Sequence, residues 1–262
     1  MPHTLTGNFR FHRAFPSRFL KNTRDVIVYL PVGYDSDRMR RYPVMYLHDG
    51  QNVFDAETAF GGNEWGVDEA AEELTRKGEI EPLIIVGIYN TGLNRIAEYT
   101  HVKSARGQGG KARAYGKTLV GELKPMIDRE YRTLTDAANT GLGGSSLGGL
   151  VTLYLGLAYP QVFGKLMVMS PSIWWNNCDI LKHVRKLRKK TAQKIWLDTG
   201  TCEGQNPSKC VKDAEDLFAL FQAKGWQLGR DIQFLEDEGA GHNEKAWGYR
   251  IRNALKFLFP AR

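Results

Sequence analysis

Short apolar segments alternate along the chain with longer segments in which apolar residues recur at helical spacing. Residues 83–88, Leu-Ile-Ile-Val-Gly-Ile, are almost entirely apolar, which is typical of a strand covered on both faces. In residues 116–131, by contrast, Leu119, Leu123 and Ile127 lie on one side of a predicted helix. The two patterns predict strands at 9–12, 26–30, 44–47, 83–88, 140–143, 166–169, 194–198 and 232–235, and helices at 67–77, 116–131, 147–159, 180–190, 211–224 and 243–258.

The order of these elements predicts an α/β fold. Strands that alternate with helices are joined by right-handed crossovers, which produce a mostly parallel sheet with helices on both faces. The first two strands have no helix between them, so we expect them to form an antiparallel hairpin at one edge. No repeat, linker or low-complexity tract divides the chain, which predicts a single domain over residues 1–262. No long insertion follows the strand at 166–169, so no large lid is expected.

The composition excludes several classes of protein. The chain contains 12 Phe, 11 Tyr and 6 Trp, which supply enough apolar surface for a folded core and argue against disorder. No segment approaches the roughly 18 consecutive apolar residues that a membrane-spanning helix requires. The first residues, Met1 to Gly7, lack the basic and apolar regions of a secretory signal, so we expect a cytoplasmic protein.

Cysteine placement gives no sign of a disulfide scaffold or a metal site. Three cysteines are too few for a disulfide framework. Cys202 and Cys210 would pair only in an oxidising compartment and are expected to be free in the cytosol. Cys178 has no histidine at metal-ligand spacing, and we expect neither a metal nor an organic cofactor.

The net charge of +7 is concentrated in one predicted helix. Within residues 180–190, Ile180, Leu181, Val184 and Leu187 form an apolar face and most other positions are basic. The ordinary interpretation is a solvated outer face; the alternative is contact with a polyanion. No helix-turn-helix, zinc-finger or RNP signature accompanies this helix, so no nucleic-acid partner is expected.

The strongest chemical signal is the sequence Gly144-x-Ser146-x-Gly148 between a predicted strand and a predicted helix. A sharp strand-to-helix turn holds its central residue in a strained conformation, and flanking glycines remove the Cβ atoms that would clash. Ser146 would then project above the sheet at a helix N-terminus and act as a nucleophile. The alternatives are a Gly/Ser loop with a Ser cap and a phosphate-binding loop, but the Gly-x-x-x-x-Gly-Lys pattern is absent.

A serine nucleophile needs a base that is oriented by an acid. For a serine on such a turn the chain order is nucleophile, acid, histidine, and only His183 and His242 follow Ser146. His183 lies in the basic helix, where a surface role is the simpler interpretation. His242 lies in a loop between the last strand and the last helix, so we predict that it is the base.

Two carboxylates are candidates for the acid, and two amides for one oxyanion donor. Asp198 ends the strand at 194–198, whereas Glu203 lies several residues into the following turn, where it can approach a histidine; we favour Glu203.

One oxyanion donor would be the N–H of Leu147, directly after the nucleophile. The other would be the N–H of Gly50 or Gln51, after the strand at 44–47.

Together these segments resemble the putative-esterase branch of the α/β-hydrolases. That branch includes esterase D (S-formylglutathione hydrolase), enterochelin, feruloyl and acetylxylan esterases, and mycolyltransferases. Each matching segment is modest, but their order along nearly the whole chain is specific. The segments are 28–34, 43–50, 95–100, 159–164, 170–175, 200–203 and 241–243, with Trp247.

The resemblance implies a serine esterase with Ser146 as nucleophile, His242 as base and Glu203 as acid, acting on a small-molecule ester. By similarity to the mycolyltransferases, Gln51 would supply the second oxyanion amide. Many relatives carry His-Gly where this chain inserts Asp49 before Gly50, so the choice between Gly50 and Gln51 stays open. Glu203 stands where the feruloyl esterases more often have Asp.

Further positions resemble substrate-binding parts of these relatives. Trp65, Trp174 and Trp175 correspond to aromatic positions near the pocket, with core packing as the alternative. Arg95 and Glu98 are expected to form an ion pair. An acyltransferase that uses the same site, or a binding protein that only retains the fold, are the alternative functions. The sequence indicates neither the natural ester nor an oligomeric state.

Overall fold

The computed structural model describes residues 3–261; Met1, Pro2 and Arg262 lie outside the described residues. Eight strands form one mixed sheet in the order β1-β2-β4-β3-β5-β6-β7-β8. The β1–β2 and β2–β4 pairs are antiparallel and the other pairs are parallel, which confirms the predicted α/β sheet with an antiparallel edge. The strands are β1 Asn8–Ser17, β2 Asn22–Leu30, β3 Val44–His48, β4 Ile84–Ile88, β5 Thr140–Ser145, β6 Lys165–Met169, β7 Lys194–Gly200 and β8 Ile232–Asp237.

Helices cover both faces of this sheet. Helices α3 and α4 are joined by a single π turn, Leu119–Leu123, so that they form one long helical segment that begins earlier than predicted. The helices are α1 Val67–Arg76, α2 Arg95–Tyr99, α3 Ala112–Thr118, α4 Lys124–Glu130, α5 Leu147–Ala158, α6 Asp179–Arg185, α7 Pro207–Ala223 and α8 Glu244–Leu258. No helix within residues 3–261 combines the length and the apolar character needed to cross a membrane.

Strand alternation divides the apolar residues between two cores, one on each face of the sheet. Successive side chains of a strand point to opposite faces. Tyr46 and Val86 therefore pack into one core together with α5, whereas Met45 and Ile85 pack into the other together with α1 and α8. Every residue of β3, β4 and β5 is buried, as expected for central strands between two helical layers.

The most buried helix begins directly after Ser146. Most residues of α5 are buried, so the helix is apolar nearly all round rather than amphipathic. Its Gly156 lies against Leu166 of β6, where an added Cβ would stand 2.4 Å from a leucine methyl carbon. This contact holds the C-terminal half of α5 against β6. In the first turn of the helix, an added Cβ at Gly149 would stand 2.7 Å from the carbonyl oxygen of Met169, so the start of α5 also packs closely against the end of β6.

The predicted basic helix is shorter than its pattern indicated. Helix α6 ends at Arg185, and the prediction of helix up to Lys190 is wrong. The Nζ of Lys224 donates hydrogen bonds to the carbonyl oxygens of Arg185 and Leu187, at 2.8 and 2.7 Å. These carbonyls are satisfied by the side chain of the residue that follows α7, so α6 can end there. Cys178, Cys202 and Cys210 are all free thiols.

Candidate active site

Ser146 lies on a strained turn between β5 and α5. Its backbone adopts φ 58° and ψ −123°, a conformation that costs a non-glycine residue about 1–3 kcal/mol. Backbone hydrogen bonds hold it there: its N–H donates to Met169 and its carbonyl accepts from Ser172, each at 3.0 Å. A Cβ at Gly144 would stand 3.0 Å from the Cβ of His48 and 3.1 Å from the carbonyl carbon of Gly148, so the close approach to the turn favours glycine.

A chain of hydrogen bonds connects Ser146, His242 and Glu203. The Nε2 of His242 lies 2.9 Å from the Oγ of Ser146, and its Nδ1 lies 2.8 Å from Oε2 of Glu203. The residues come from the turn after β5, the loop after β7 and the loop after β8, which meet at the carboxyl ends of the parallel strands. The imidazole is 34% exposed, whereas the carboxylate is 4% exposed.

Glu203 is oriented by hydrogen bonds to Oε1, the carboxylate oxygen that does not face His242. Oε1 accepts hydrogen bonds from the backbone N–H of Gly200 at 2.7 Å and from the Oγ of Ser170 at 2.5 Å. Burial would by itself raise the pKa of Glu203, but hydrogen bonds from His242 and Ser170 outweigh burial and hold the pKa below its ordinary value. The group is therefore a carboxylate near neutral pH, and it leaves Oε2 free to accept from the imidazole.

Asp198, the other candidate acid, has different partners. Its side chain is buried within β7. Its Oδ1 lies 2.5 Å from Nη1 of Arg250, and its Oδ2 accepts a hydrogen bond from Nε1 of Trp196 at 2.6 Å. Its hydrogen bonds do not include one to His242. Of the two carboxylates, the structure thus brings Glu203, and not Asp198, to the histidine.

The loop after β3 forms the opposite wall of the site. A cavity of about 330 Å³ is lined by Gln51, Ser146 and His242, among others. Gly50 packs against the backbone of β4, since a Cβ at this position would stand 2.4 Å from the carbonyl carbon of Gly87. Leu147 is the first residue of α5, where an N–H has no partner within the helix. The amides of Gln51 and Leu147 are therefore on the two elements that border Ser146.

The prediction of an ion pair between Arg95 and Glu98 is wrong. Arg95 instead holds Asp49 with two hydrogen bonds, from Nε at 2.7 Å and from Nη2 at 2.8 Å. Glu98 faces Arg24, 3.0 Å away, and both side chains are buried. Asp49 has a left-handed φ of 55°, so Arg95 stabilises the strained residue from which the loop with Gln51 begins.

The predicted tryptophans lie in different surroundings. Trp174 is 56% exposed and lines a second cavity of about 240 Å³, which Ser146 and His242 also line. Trp65 is buried against Trp247 and lines a separate groove, not either cavity that contains Ser146. Trp175 is buried, with its Nε1 donating to the carbonyl of Val102 at 2.9 Å, which is the core-packing alternative.

Three supporting residues of the site were not singled out as candidate site residues from the sequence. The Oγ of Ser170 accepts a hydrogen bond from Nε1 of Trp247 at 3.0 Å and donates one to Glu203. Nη2 of Arg250 lies 3.2 Å from the same hydroxyl oxygen. Trp247 also packs edge-on against the imidazole of His242, with ring centroids 4.9 Å apart. The hydrogen bonds of the Ser170 hydroxyl join residues more than 30 positions apart, so no local pattern signals them.

The fold and the site together define an α/β-hydrolase: a mostly parallel sheet with a serine on the strand-to-helix turn and a histidine after the last strand. Residues 17–258 match the family described as "Putative esterase". The chain belongs to this family and is a carboxylic ester hydrolase.

Named relatives agree with this assignment. The ferri-bacillibactin esterase BesA of Bacillus subtilis is 30% identical over 226 residues, which cover 77% of this chain and 73% of that protein. The endo-1,4-beta-xylanase/feruloyl esterase of Xylanibacter ruminicola is 29% identical over 88% of this chain, although the match spans only 29% of that longer protein. The crystal structure of the BES protein from Bacillus cereus superposes with a TM-score of 0.76 at 22% identity, covering 97% of this chain and 96% of that one.

Proposed function

We propose that this protein hydrolyses small carboxylic esters through an acyl-enzyme intermediate on Ser146, acting as one catalytic domain. The observation that carries the proposal is the hydrogen-bonded chain from the Oγ of Ser146 through His242 to Glu203, at 2.9 and 2.8 Å. These distances are within the range that proton transfer between a nucleophile and its base requires.

In the first half of the reaction, the Oγ of Ser146 attacks the ester carbonyl and its proton passes to Nε2 of His242. Glu203 stabilises the imidazolium that forms and keeps Nδ1 protonated. The tetrahedral oxyanion accepts hydrogen bonds from the N–H groups of Leu147 and Gln51; we favour Gln51 over Gly50 because Gln51 lines the cavity. The imidazolium then protonates the departing alkoxide, which leaves an acyl-serine and an alcohol.

In the second half, water replaces the alcohol. The neutral imidazole of His242 takes a proton from water, the hydroxide adds to the acyl carbonyl, and the imidazolium returns the proton to the Oγ of Ser146 as the acid departs. Besides the ester and water, each step uses side-chain and backbone groups of the site. Product release regenerates the starting protonation state.

The two cavities at Ser146 provide room for the two sides of an ester. We assign the acyl group to the 240 Å³ cavity bordered by Ile173 and Trp174, whose apolar surfaces suit an uncharged chain or ring. The alcohol would lie in the 330 Å³ cavity beside Gln51. The names of two relatives, a ferri-bacillibactin esterase and a feruloyl esterase, support the proposal of an ester substrate.

The proposal is tested by replacing the nucleophile and a neighbouring serine. We expect Ser146→Ala to lower the turnover of p-nitrophenyl acetate by at least about a thousandfold, since loss of a nucleophile removes the covalent route. Ser172→Ala is the matched control, because its Oγ lies only 3.3 Å from that of Ser146 yet has no direct contact with His242. We expect that variant to lose less than tenfold.

Labelling identifies the attacking atom independently of turnover. A fluorophosphonate probe should modify the wild type at Ser146 and leave Ser146→Ala unmodified, as read by peptide mass spectrometry. Equal turnover by Ser146→Ala and the wild type, or labelling at another serine, would refute the proposed nucleophile. Melting curves of both variants establish that the fold is retained.

A further inference from the structure

Two histidines and a carboxylate meet outside both cavities that Ser146 lines. His101 lies in the loop between α2 and α3, Asp179 is the first residue of α6, and His183 follows one helical turn later. Residues four apart share one face of a helix, so Asp179 and His183 both face the loop that carries His101. We call these three residues the His101 cluster.

The separations in the His101 cluster are too long for hydrogen bonds. The Oδ2 of Asp179 lies 3.4 Å from Nε2 of His101 and 3.7 Å from Nε2 of His183. Hydrogen bonds between such atoms are about 2.7–3.2 Å long. In a tetrahedral zinc site with metal–ligand bonds of about 2.0–2.2 Å, however, neighbouring donor atoms lie about 3.3–3.6 Å apart. The observed separations therefore approach those across a metal ion.

His101 supplies an independent reason to expect a ligand. Its side chain is completely buried, and neither ring nitrogen has a hydrogen-bond partner among residues 3–261. Buried polar atoms without partners are rare and cost about 1–3 kcal/mol each. The ring is held in place by Tyr154, stacked with centroids 5.2 Å apart, and by the edge of His183 at 5.0 Å. The unpaired Nε2 is therefore fixed in the direction of the cluster.

The remaining contacts complete the requirements of a metal site. Oδ1 of Asp179 accepts a hydrogen bond from Nζ of Lys182 at 2.8 Å, which orients the carboxylate and leaves Oδ2 for an ion. The side chain of His183 is 36% exposed and gives solvent access. Two imidazole nitrogens and one carboxylate oxygen suit zinc and similar transition metals better than calcium or magnesium, which prefer oxygen ligands.

We propose that Nε2 of His101, Oδ2 of Asp179 and Nε2 of His183 bind a zinc-type divalent cation, with water as the fourth ligand. The ion would join the loop after α2 to the start of α6. That helix follows residues 170–178, which include Trp174 at the acyl cavity, so binding would stabilise the segment that forms one wall of the proposed active site. The role assigned to the ion is structural and does not depend on the ester chemistry.

The test uses the full chain, dialysed against a chelator and then titrated with Zn²⁺ by calorimetry and by thermal melting. We expect one equivalent to bind the wild type and to raise its Tm, whereas Mg²⁺ should not. His183→Gln and Asp179→Asn should each weaken Zn²⁺ affinity about 10–100-fold. His183 is partly exposed and Asn is isosteric with Asp, so both variants are expected to fold.

Two controls separate this site from other histidines. His3→Gln removes an exposed ring that contacts Asp55 and Glu57, the other histidine–carboxylate cluster among residues 3–261. Ser146→Ala shows whether the measured affinity involves the proposed catalytic serine. The proposal is wrong if the wild type binds no Zn²⁺, if His183→Gln binds as the wild type does, or if His3→Gln alone abolishes binding. Substitution with Co²⁺ should give the intense visible absorption of a tetrahedral complex in the wild type and not in His183→Gln.

Discussion

The proposed catalytic centre and the His101 cluster are built from the same chemical groups at different separations. In the first, Nδ1 of His242 and Oε2 of Glu203 are 2.8 Å apart, which is a hydrogen-bond distance. In the second, Oδ2 of Asp179 lies 3.4 Å from His101 and 3.7 Å from His183. A difference of less than 1 Å thus separates a hydrogen-bonded histidine–carboxylate pair from a group suited to binding an ion.

The difference arises from what holds each carboxylate. Glu203 is held at Oε1 by a backbone amide and by Ser170, so that Oε2 is directed at the imidazole. Asp179 is held at Oδ1 by Lys182, an exposed side chain on the same helix, and nothing brings Oδ2 closer to either ring. Residue types therefore do not decide the chemistry of a histidine–carboxylate group, whereas the supporting contacts do.

The largest expected effect comes from breaking the short contact of the catalytic centre. We expect Glu203→Gln to reduce turnover by about a thousand- to ten-thousandfold, because a neutral amide cannot stabilise the imidazolium. Asp198→Asn is the comparison variant. It weakens the buried pair with Arg250 but removes no hydrogen bond to His242, so its folded fraction should lose less than tenfold in turnover. Steady-state kinetics on p-nitrophenyl acetate measure both. A larger loss in Asp198→Asn would make Asp198 the acid.

The next largest effect is expected from Arg250, whose buried guanidinium pairs with Asp198. Arg250→Met leaves Asp198 buried without its partner, which should lower the free energy of unfolding by about 3–5 kcal/mol. Arg252→Met is the control, because its ion pair with Glu73 is partly exposed and should contribute less than about 1 kcal/mol. Urea denaturation followed by circular dichroism measures the two changes. Similar losses in both variants would contradict the assigned role of the buried pair.

A third histidine environment sharpens the comparison. His48 is fully buried, and its Nδ1 lies 2.9 Å from the hydroxyl of Tyr115. No carboxylate in the part of the chain that the structure describes is hydrogen-bonded to it. Burial lowers its pKa to about 3, whereas the unfolded chain protonates this side chain near pH 6.5. Between these values the unfolded state binds a proton that the folded state does not, so stability is lost as the pH falls.

Replacing His48 should remove its share of the pH dependence of the free energy of unfolding. Between pH 7 and pH 5 we expect the free energy of unfolding of His48→Gln to fall by roughly 2 kcal/mol less than that of the wild type. Urea titrations at both pH values give the difference, in which contributions from the other titrating groups cancel. Parallel losses in the two proteins would show that His48 is not the group responsible.

Local sequence pattern was sufficient for most of the elements. The apolar runs predicted strands such as β3 and β4 to within a residue or two, because a strand covered on both faces needs a continuous run of apolar side chains. The turn at Ser146 was equally local, since glycines two residues on either side satisfy its steric needs. Strand β1, which continues to Ser17, and the short helix α2 were not fully predicted, and the end of α6 depends on Lys224, the residue after α7.

The sequence alone therefore determined the type and order of the elements and the position of the strained serine, which depend on neighbours within a few residues. Only the tertiary structure decided which carboxylate meets His242, which partner Arg95 takes, whether Trp65 reaches the cavity, and that His101 faces Asp179. Those outcomes depend on contacts between loops that are distant in sequence, and a few tenths of an ångström in their packing changes hydrogen bonding and metal binding alike.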